Sequence, residues 1–331
     1  MSVPPFAITL EEHAMFPALG GFPLPSHDVE EQFPGSQQAL KDHSTGRIAS
    51  MDEGHVSYQI MSHSPGVGND NPEGCSKAND QMAEAIKKNP NRFGGFATLP
   101  MAFPDKAAAE LERVVKKLGF LGAMISSHLD DMTHYDDERF WPVFEAAERL
   151  DVPIYIHPGP PPMEEMKNRY GGNYSTGVMM GIAMAGWGWH QDVGLHITKL
   201  WCAGLFQRFP KLKIIIGHGG ELLPLFLDRL AILKQYDSKL DRGDFNDVWN
   251  QNIWVTTSGI FTVRIFEMLL KVTKKDHLLY SIDTPYSPSI DGRDFIRKLA
   301  KESSLSREEL EGFAFGNAKK LFNLDVNLKK F

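Results

Sequence analysis

The chain has 331 residues, of which 42% are hydrophobic and 23% charged, and its formal net charge is −7. This length and composition exclude a small disulfide-stapled module and a disordered chain, and a negative charge without a basic stripe argues against nucleic acid or an anionic membrane as partner. Because Cys75 and Cys202 cannot form a disulfide framework and the N-terminal residues lack a signal-peptide pattern, we expect a cytoplasmic protein with no membrane span.

Short runs of β-branched and aromatic residues alternate along the chain with longer segments of helical period. We predict eight strands, at residues 7–13, 56–62, 93–100, 121–126, 153–157, 212–218, 252–258 and 278–283. We predict helices at residues 76–88, 105–118, 137–150, 191–208, 221–236, 262–274 and 306–323. This order is typical of parallel strands joined by crossover helices, and eight such strands favour an α/β fold of the closed (β/α)8 TIM barrel type over a doubly wound open sheet.

Two long segments do not fit this alternation. Residues 14–55 are rich in Pro, Gly and His, and residues 158–190 begin with prolines and continue with several Met and Trp residues. We predict that they are insertions after strands 1 and 5, at the barrel face where active sites form. No repeat or low-complexity linker divides the chain, so we predict one domain over residues 1–331 that ends in a helical extension.

Ionisable residues occupy four of the predicted strands. Glu11 and His13 lie two residues apart in strand 1 and so point to the same face, while strands 5, 6 and 8 end in His157, His218 and Asp283. Such a side chain among apolar neighbours loses hydration at high cost unless a partner offsets the loss. Each residue alone is more often a hydrogen-bonded structural residue, but a divalent cation would offset the whole set at once. The set therefore predicts a metal centre.

Motifs spread over nearly the whole chain point to one family. They are residues 10–13 (LEEH), 92–97 (RFGGFA), 118–123 (LGFLGA), 151–158 (DVPIYIHP), 256–259 (TTSG) and 317–322 (NAKKLF). Together they resemble the amidohydrolase superfamily, and within it the nonoxidative hydroxybenzoate decarboxylases, such as γ-resorcylate, 2,3-dihydroxybenzoate and salicylate decarboxylase. The resemblance implies a metal-dependent carboxy-lyase that acts on a small aromatic acid and forms a homodimer or homotetramer.

The resemblance also implies roles for individual residues. One divalent ion, Zn or Mn with Mg also compatible, would be held by Glu11, His13, His157 and Asp283. Asp283 would transfer the proton to the ring carbon, and His218 with Glu221 would orient the substrate and tune the proton supply. Four residues match positions near the substrate in relatives and are predicted to bind it: Arg229, Ser126, Thr284 and Tyr286.

Several positions near the ring pocket depart from the family pattern. Ser126 and Ser127 stand where Asn-Asp or Asn-Gly is frequent, and Thr284 follows the aspartate where an aromatic residue is frequent. We therefore expect different ring substituents, and the Met and Trp residues of the second insertion favour an alkyl-substituted ortho-hydroxybenzoic acid. Two alternatives stay open: a metal-dependent hydrolase of a lactone or related carbonyl compound, and a noncatalytic binding protein with the same barrel.

Overall fold

The computed structural model describes residues 1–21, 33–236 and 242–331. Its strands are largely buried, and all the paired neighbours run parallel. The strands are β1 Ile8–Ala14, β2 Tyr58–His63, β3 Phe93–Gly95, β4 Ala123–Ser126, β5 Ile154–His157, β6 Ile214–Ile216, β7 Ile253–Thr256 and β8 Leu278–Leu279. Each lies within or overlaps one of the predicted strands.

The strands form a closed ring. Strands β1 to β3 pair in order, as do β4 to β8. A parallel bridge between Ala97 and Ala123 joins β3 to β4, and a second between Glu12 and Thr284 joins β1 to the end of β8. The backbone N–H of His13 donates to the carbonyl of Thr284 at 2.7 Å across this second junction. The predicted (β/α)8 barrel is thus confirmed, and the open-sheet alternative is wrong.

Helices alternate with the strands along the chain. They are α1 Ser36–Lys41, α2 Thr45–Glu53, α3 Pro72–Lys88, α4 Pro104–Arg113, α5 Trp141–Leu150, α6 Met163–Tyr170, α7 Thr176–Ala183, α8 Gly188–Ala203, α9 Leu205–Arg208, α10 Phe245–Asn252, α11 Val263–Val272, α12 Ser289–Glu302, α13 Arg307–Glu311 and α14 Asn317–Leu321. π-Helical turns extend α4 (Val114–Leu118) and join α13 to α14 (Gly312–Gly316). Within the described residues, no helix has both the length and the apolar character of a membrane span.

The helix predicted at residues 221–236 is wrong. Two short 3-10 segments, Leu223–Leu225 and Arg229–Gln235, occupy this stretch instead. Residues 218–221 all have positive φ, at 47°, 68°, 92° and 53°, so the chain makes a sharp left-handed turn where the helix was expected to begin. Helices α10 and α12 were not predicted, although both bury an apolar face.

The two predicted insertions follow β1 and β5. The first contains α1 and α2, and its residues 22–32 lie outside the described part of the chain. The second contains α6 and α7, which pack around the methionines Met166, Met179, Met180 and Met184. The barrel interior near the N-terminal ends of the strands is apolar, and Phe322 and Leu324 from the C-terminal segment close it. A polar site therefore has room only near the C-terminal ends of the strands.

Candidate metal centre and its cavity

A β-bulge in β1 turns two polar side chains into the barrel. The register of β1 against β2 shifts by one residue before Glu12, so Leu10 packs in the apolar interior and the next residue, Glu11, also faces inward. The backbone N–H groups of Leu10 and Glu11 both donate to the hydroxyl of Ser281, at 2.9 and 2.8 Å. His13, two residues beyond Glu11, then lies on the same inward face.

One oxygen of Glu11 is held firmly by hydroxyl groups. The Tyr155 and Ser258 hydroxyls donate to Oε2, and Oγ1 of Thr256 lies 3.3 Å from the same atom. These three residues come from β5, β7 and the loop after β7, and all are buried. Their hydrogen bonds fix the carboxylate in one orientation and leave Oε1 directed towards the neighbouring histidines.

Four side chains from β1, β5 and the segment after β8 meet at the end of the barrel. Nε2 of His157 lies 3.1 Å from Oε1 of Glu11, and Nε2 of His13 lies 3.2 Å from Oδ1 of Asp283. Nδ1 of His157 donates to the carbonyl of Pro158 at 2.7 Å, so its Nε2 keeps a lone pair for a ligand. The two imidazole rings lie edge to face, with centroids 4.8 Å apart.

The arrangement fits a single divalent ion. One donor atom from each of the four residues lies within 4.8 Å of all the others. In the described part of the chain, Oε1 of Glu11 and Nε2 of His13 are buried and make no hydrogen bond. Buried polar atoms normally have partners, and two carboxylates with two imidazoles suit zinc or manganese. The predicted metal ligands are therefore brought together, with donor atoms that a cation would satisfy.

A second group of side chains adjoins this one. Nδ1 of His218 donates to Oε1 of Glu221 at 2.7 Å, and Nδ1 of His190 donates to Oε2 of the same carboxylate at 2.7 Å. Nε2 of His218 lies 3.3 Å from Glu11 and 3.9 Å from Asp283. The sharp turn at residues 218–221 brings Glu221 back against His218.

Burial and charge shift the acid–base behaviour of the four-residue group. Burial raises the pKa of Asp283 to about 7, and the charge of Glu11 adds to this shift. Burial lowers the pKa of His13 to about 4. Burial also favours a higher pKa for Glu11, but the neighbouring positive charge, that of His218 above all, outweighs it and holds the Glu11 pKa well below its usual range. Glu11 is thus the anionic member of the group.

Opposite charges shift the adjoining pair. Burial disfavours the charged form of His218, but the carboxylates of Glu11 and Glu221 outweigh it and raise the His218 pKa to about 10. Burial likewise disfavours charge on Glu221, yet His218 and His190 lower its pKa to about 2. His218 is therefore a cation beside the four-residue group, held in place by the ionised carboxylate of Glu221.

A cavity of about 450 Å³ opens above these residues. His13, His157, His218, Asp283 and Ser258 form its polar floor. The walls are mostly apolar and come from the second insertion and from the loops after β1, β7 and β8: Phe33, Met180, Met184, Trp189, Ile260 and Tyr286. The cavity thus combines a small charged end with a larger apolar volume, which is typical of sites for small organic molecules.

The residues predicted to bind substrate occupy different places. Tyr286 lines the cavity. The Ser126 hydroxyl accepts a hydrogen bond from the backbone N–H of Gly66 at 2.8 Å, and Ser126 lies beside His157 in the β4–β5 register. Thr284 closes the barrel through its backbone and is buried. Arg229 is exposed and is not among the described residues that line the cavity. Their contacts with substrate stay predictions.

Sequence reasoning missed several residues of the site. Tyr155, Thr256 and Ser258 hold Glu11, and His190 shares Glu221 with His218. Tyr155 lies two residues before His157, so the alternation of strand side chains could have placed both on one face. Hydroxyl residues are frequent in strands, however, and nothing in their pattern distinguishes a ligand-orienting role.

Comparisons with known proteins agree with this geometry. The model of the family described as amidohydrolase matches residues 26–324. The chain is 38% identical to the decarboxylase orsB of Emericella nidulans, over 98% of this chain and 99% of that protein. It is 32% identical to a gamma-resorcylate decarboxylase of Polaromonas sp. strain JS666, over 96% and 98% of the two chains.

A solved structure is also similar. The crystal structure of a dihydroxybenzoic acid decarboxylase from Polaromonas sp. JS666, with bound manganese and the inhibitor 2-nitroresorcinol, superposes with a TM-score of 0.83. The two proteins are 30% identical, and the similarity covers 97% of this chain and 98% of the other. The similarity therefore extends over the whole barrel.

Proposed function

The chain belongs to the amidohydrolase family, and on this premise we propose that it is a metal-dependent decarboxylase, which converts an ortho-hydroxybenzoic acid into the phenol and carbon dioxide without oxidation. The observation that carries the proposal is the convergence of two carboxylates and two imidazoles at the floor of a cavity with apolar walls. Relatives over almost the full length are decarboxylases, and one of them binds manganese.

We assign the metal ligands to Glu11, His13, His157 and Asp283. A divalent ion on these donors would bind the substrate carboxylate and the adjacent phenol oxygen and would favour the phenolate. The buried atoms without hydrogen bonds on Glu11 and His13 support this assignment. The hydroxyls of Tyr155 and Ser258 hold the Glu11 carboxylate in one orientation, so metal binding would cost little further conformational entropy of this side chain.

Asp283 is the residue to which we assign proton transfer. It lies at the cavity floor, with Oδ1 3.2 Å from Nε2 of His13 and Oδ2 3.9 Å from Nε2 of His218, so its carboxyl group can exchange a proton with a substrate bound there. Protonation of the ring carbon that bears the carboxylate breaks aromaticity. The bond between that carbon and the carboxylate then breaks, its electron pair returns to the ring, and carbon dioxide leaves. No oxidant or organic cofactor is consumed.

His218 is the residue to which we assign substrate orientation. Its ring is fixed by Glu221, and its Nε2 faces Glu11 and Asp283. A cation in this position attracts the anionic end of an aromatic acid and opposes its rotation in the cavity.

The apolar walls support an alkyl-substituted substrate. A cavity of roughly 150 Å³ holds benzene, whereas the cavity here measures about 450 Å³. Met180, Met184, Trp189 and Ile260 offer a hydrocarbon surface to a ring substituent. We therefore propose that an alkyl group on the ring increases kcat/KM over that of unsubstituted salicylate.

The test is direct incubation with a substrate panel. The protein loaded with Mn²⁺ or Zn²⁺ is mixed with salicylate, dihydroxybenzoates and alkyl salicylates, and the phenol is measured by chromatography. Absence of phenol with every metal would contradict the proposal. Transfer of ¹⁸O from labelled water into an organic product would favour the lactone-type hydrolase instead, because decarboxylation adds only a proton to the ring.

We also propose a cytoplasmic homodimer or homotetramer in which residues 1–331 form one domain. Leu225 and Phe226 are adjacent apolar side chains with 69% and 51% of their surface exposed, which supports an association surface. Sedimentation analysis should give a mass of two or four chains, and limited proteolysis should leave a fragment of nearly full length. A single-chain mass would contradict the oligomer.

A further inference from the structure

One buried carboxylate, that of Glu12, faces away from the cavity. Because of the bulge in β1, Glu12 points outward between the barrel and the helices, whereas Glu11 and His13 point inward. Its side chain is fully buried. An isolated charge in such a place is costly, so the contacts of this carboxylate require an explanation.

The Glu12 carboxylate binds the backbone on both sides of Asp283. Its Oε1 accepts a hydrogen bond from the N–H of Ile282 at 3.0 Å, and its Oε2 accepts one from the N–H of Thr284 at 3.1 Å. The N–H of Asp283 itself donates to the carbonyl of Glu11 at 3.0 Å. Three successive N–H groups are thus fixed by two adjacent residues of β1.

The backbone of Asp283 needs this support. Its φ is +73°, in the left-handed region that residues other than glycine seldom adopt. Such a conformation persists only where the surroundings impose it. Without the hydrogen bonds from Ile282 and Thr284 to Glu12, we expect residues 282–284 to adopt a more favourable backbone conformation. The Asp283 carboxylate would then turn away from Glu11, His13 and His157.

Two further buried side chains complete the contact with β1. Nε2 of Gln59 donates to Oε2 of Glu12 at 3.2 Å, and Nη1 of Arg47 donates to Oε1 of Gln59 at 3.0 Å. Nη2 of Arg47 also donates to the carbonyl of His13 at 2.5 Å. One network outside the barrel therefore fixes the main chain of both His13 and Asp283.

From these contacts we propose that Glu12, supported by Gln59 and Arg47, is a positioning residue that sets the distance between His13 and Asp283 and thereby the affinity of the metal centre. The inference rests on the proposed metal site. It concerns the main chain of the proposed ligands His13 and Asp283. Glu12, Gln59 and Arg47 do not line the cavity.

The test compares Mn²⁺ binding to wild type and Glu12→Gln by titration calorimetry. Glutamine keeps the size of the side chain but presents an amide N–H₂ to one of the two backbone N–H groups. We expect the Kd for Mn²⁺ to rise about tenfold or more, the range found when partners of metal ligands are replaced, and kcat to fall with it. The Mn²⁺ electron paramagnetic resonance spectrum should broaden or change.

Glu110→Gln is the matched control. Glu110 is also buried, and its carboxylate binds Asn79 and Arg113, which are not ligands of the proposed centre. We expect this variant to lose a similar amount of thermal stability with Mn²⁺ affinity within twofold of wild type. If Glu12→Gln changes Mn²⁺ affinity no more than Glu110→Gln, the positioning role is wrong.

Gln59→Met provides a second variant should Glu12→Gln fail to fold. It removes one donor to Glu12 and leaves both backbone hydrogen bonds, so we expect a smaller rise in Kd, of about threefold. An unchanged Kd in a folded Gln59→Met protein would overturn the proposal. If wild type itself binds no Mn²⁺, the proposed function fails before the positioning role is tested.

Discussion

Two groups of histidines in this molecule illustrate how a binding site differs from a structural network. The outer group lies around Asp192, which contacts Nε2 of His134 at 3.0 Å and the Ser127 hydroxyl at 2.6 Å. Nε2 of His196 accepts from the backbone N–H of Tyr135 at 3.1 Å. In the described chain, two buried atoms of the inner group, Oε1 of Glu11 and Nε2 of His13, make no hydrogen bond, and the outer group has one such atom, Nδ1 of His196.

The difference concerns where the side chains point. In the outer group, Asp192 pairs with His134 and Ser127, and among the described residues this group does not gather three metal-type donor atoms at one position. In the inner group, four such atoms converge at the floor of a cavity. A cluster of ionisable residues thus indicates a binding site when several of its donor atoms converge beside a cavity, and a structural role when most of its polar atoms pair within the fold.

The largest loss of activity is expected from a substitution of Asp283, in the inner group. Asp283→Asn removes both a proposed metal ligand and the assigned proton donor, so we expect kcat/KM to fall by a factor of about 10² to 10⁴. Steady-state kinetics with a saturating metal concentration measure this effect, with circular dichroism as the check on folding. A folded variant that keeps more than a tenth of wild-type activity would show that another group transfers the proton.

The next largest difference in activity is expected between variants of two carboxylates, each of which bridges two neighbouring side chains. Glu221 joins His218 to His190, and Asp192 joins His134 to Ser127, so the two have similar surroundings. We expect Glu221→Gln to lower kcat about tenfold to a hundredfold, as for other residues that orient a functional imidazole. Asp192→Asn should change kcat less than threefold. Equal losses in both variants would remove the distinction between the groups.

The pH dependence of stability should come in part from the outer group. Burial holds the pKa of His196 well below its usual value, so the folded protein keeps this ring neutral while the unfolded chain binds a proton below about pH 6.5. Stability is therefore retained above this pH and falls below it, by up to about 1.4 kcal/mol per pH unit for one group. Urea denaturation at pH 7.5 and pH 5.5 should show a smaller loss in His196→Asn than in wild type. The same loss in both proteins would contradict a neutral His196.

The smallest effect is expected at Ser127. Ser127→Ala removes one hydrogen bond to Asp192, and we expect a loss of about 1 kcal/mol in the free energy of unfolding. Activity should stay within twofold of wild type, because Ser127 is not among the cavity-lining residues of the described chain. Thermal denaturation measures the loss of stability, and one steady-state kinetic assay measures the activity. A large fall in kcat would mean that the outer group contributes to catalysis.

Sequence patterns predicted the barrel, and the convergence of Glu11, His13, His157 and Asp283 within it, for a physical reason. His157 and Asp283 follow apolar runs, where an unpaired polar group is costly and so stands out. The β1 bulge could not be seen, because the extra residue leaves the Glu11–His13 spacing unchanged. The helix at 221–236 was predicted from its apolar period, but the turn that joins His218 to Glu221 overrides that pattern. The hydrogen bonds from hydroxyl groups to Glu11, and the contacts of Glu12, join strands that are far apart in the sequence. They form only in the closed barrel and leave no local pattern in the sequence.

The most direct test of the inner group is a crystal structure of the protein soaked in Mn²⁺, with data collected at the manganese absorption edge. We predict one anomalous peak bonded to Glu11, His13, His157 and Asp283, and no peak among His134, His196 and Asp192. A protein without a peak at the cavity floor, or with manganese bound only at the outer group, would contradict the metal centre and the decarboxylase mechanism built on it.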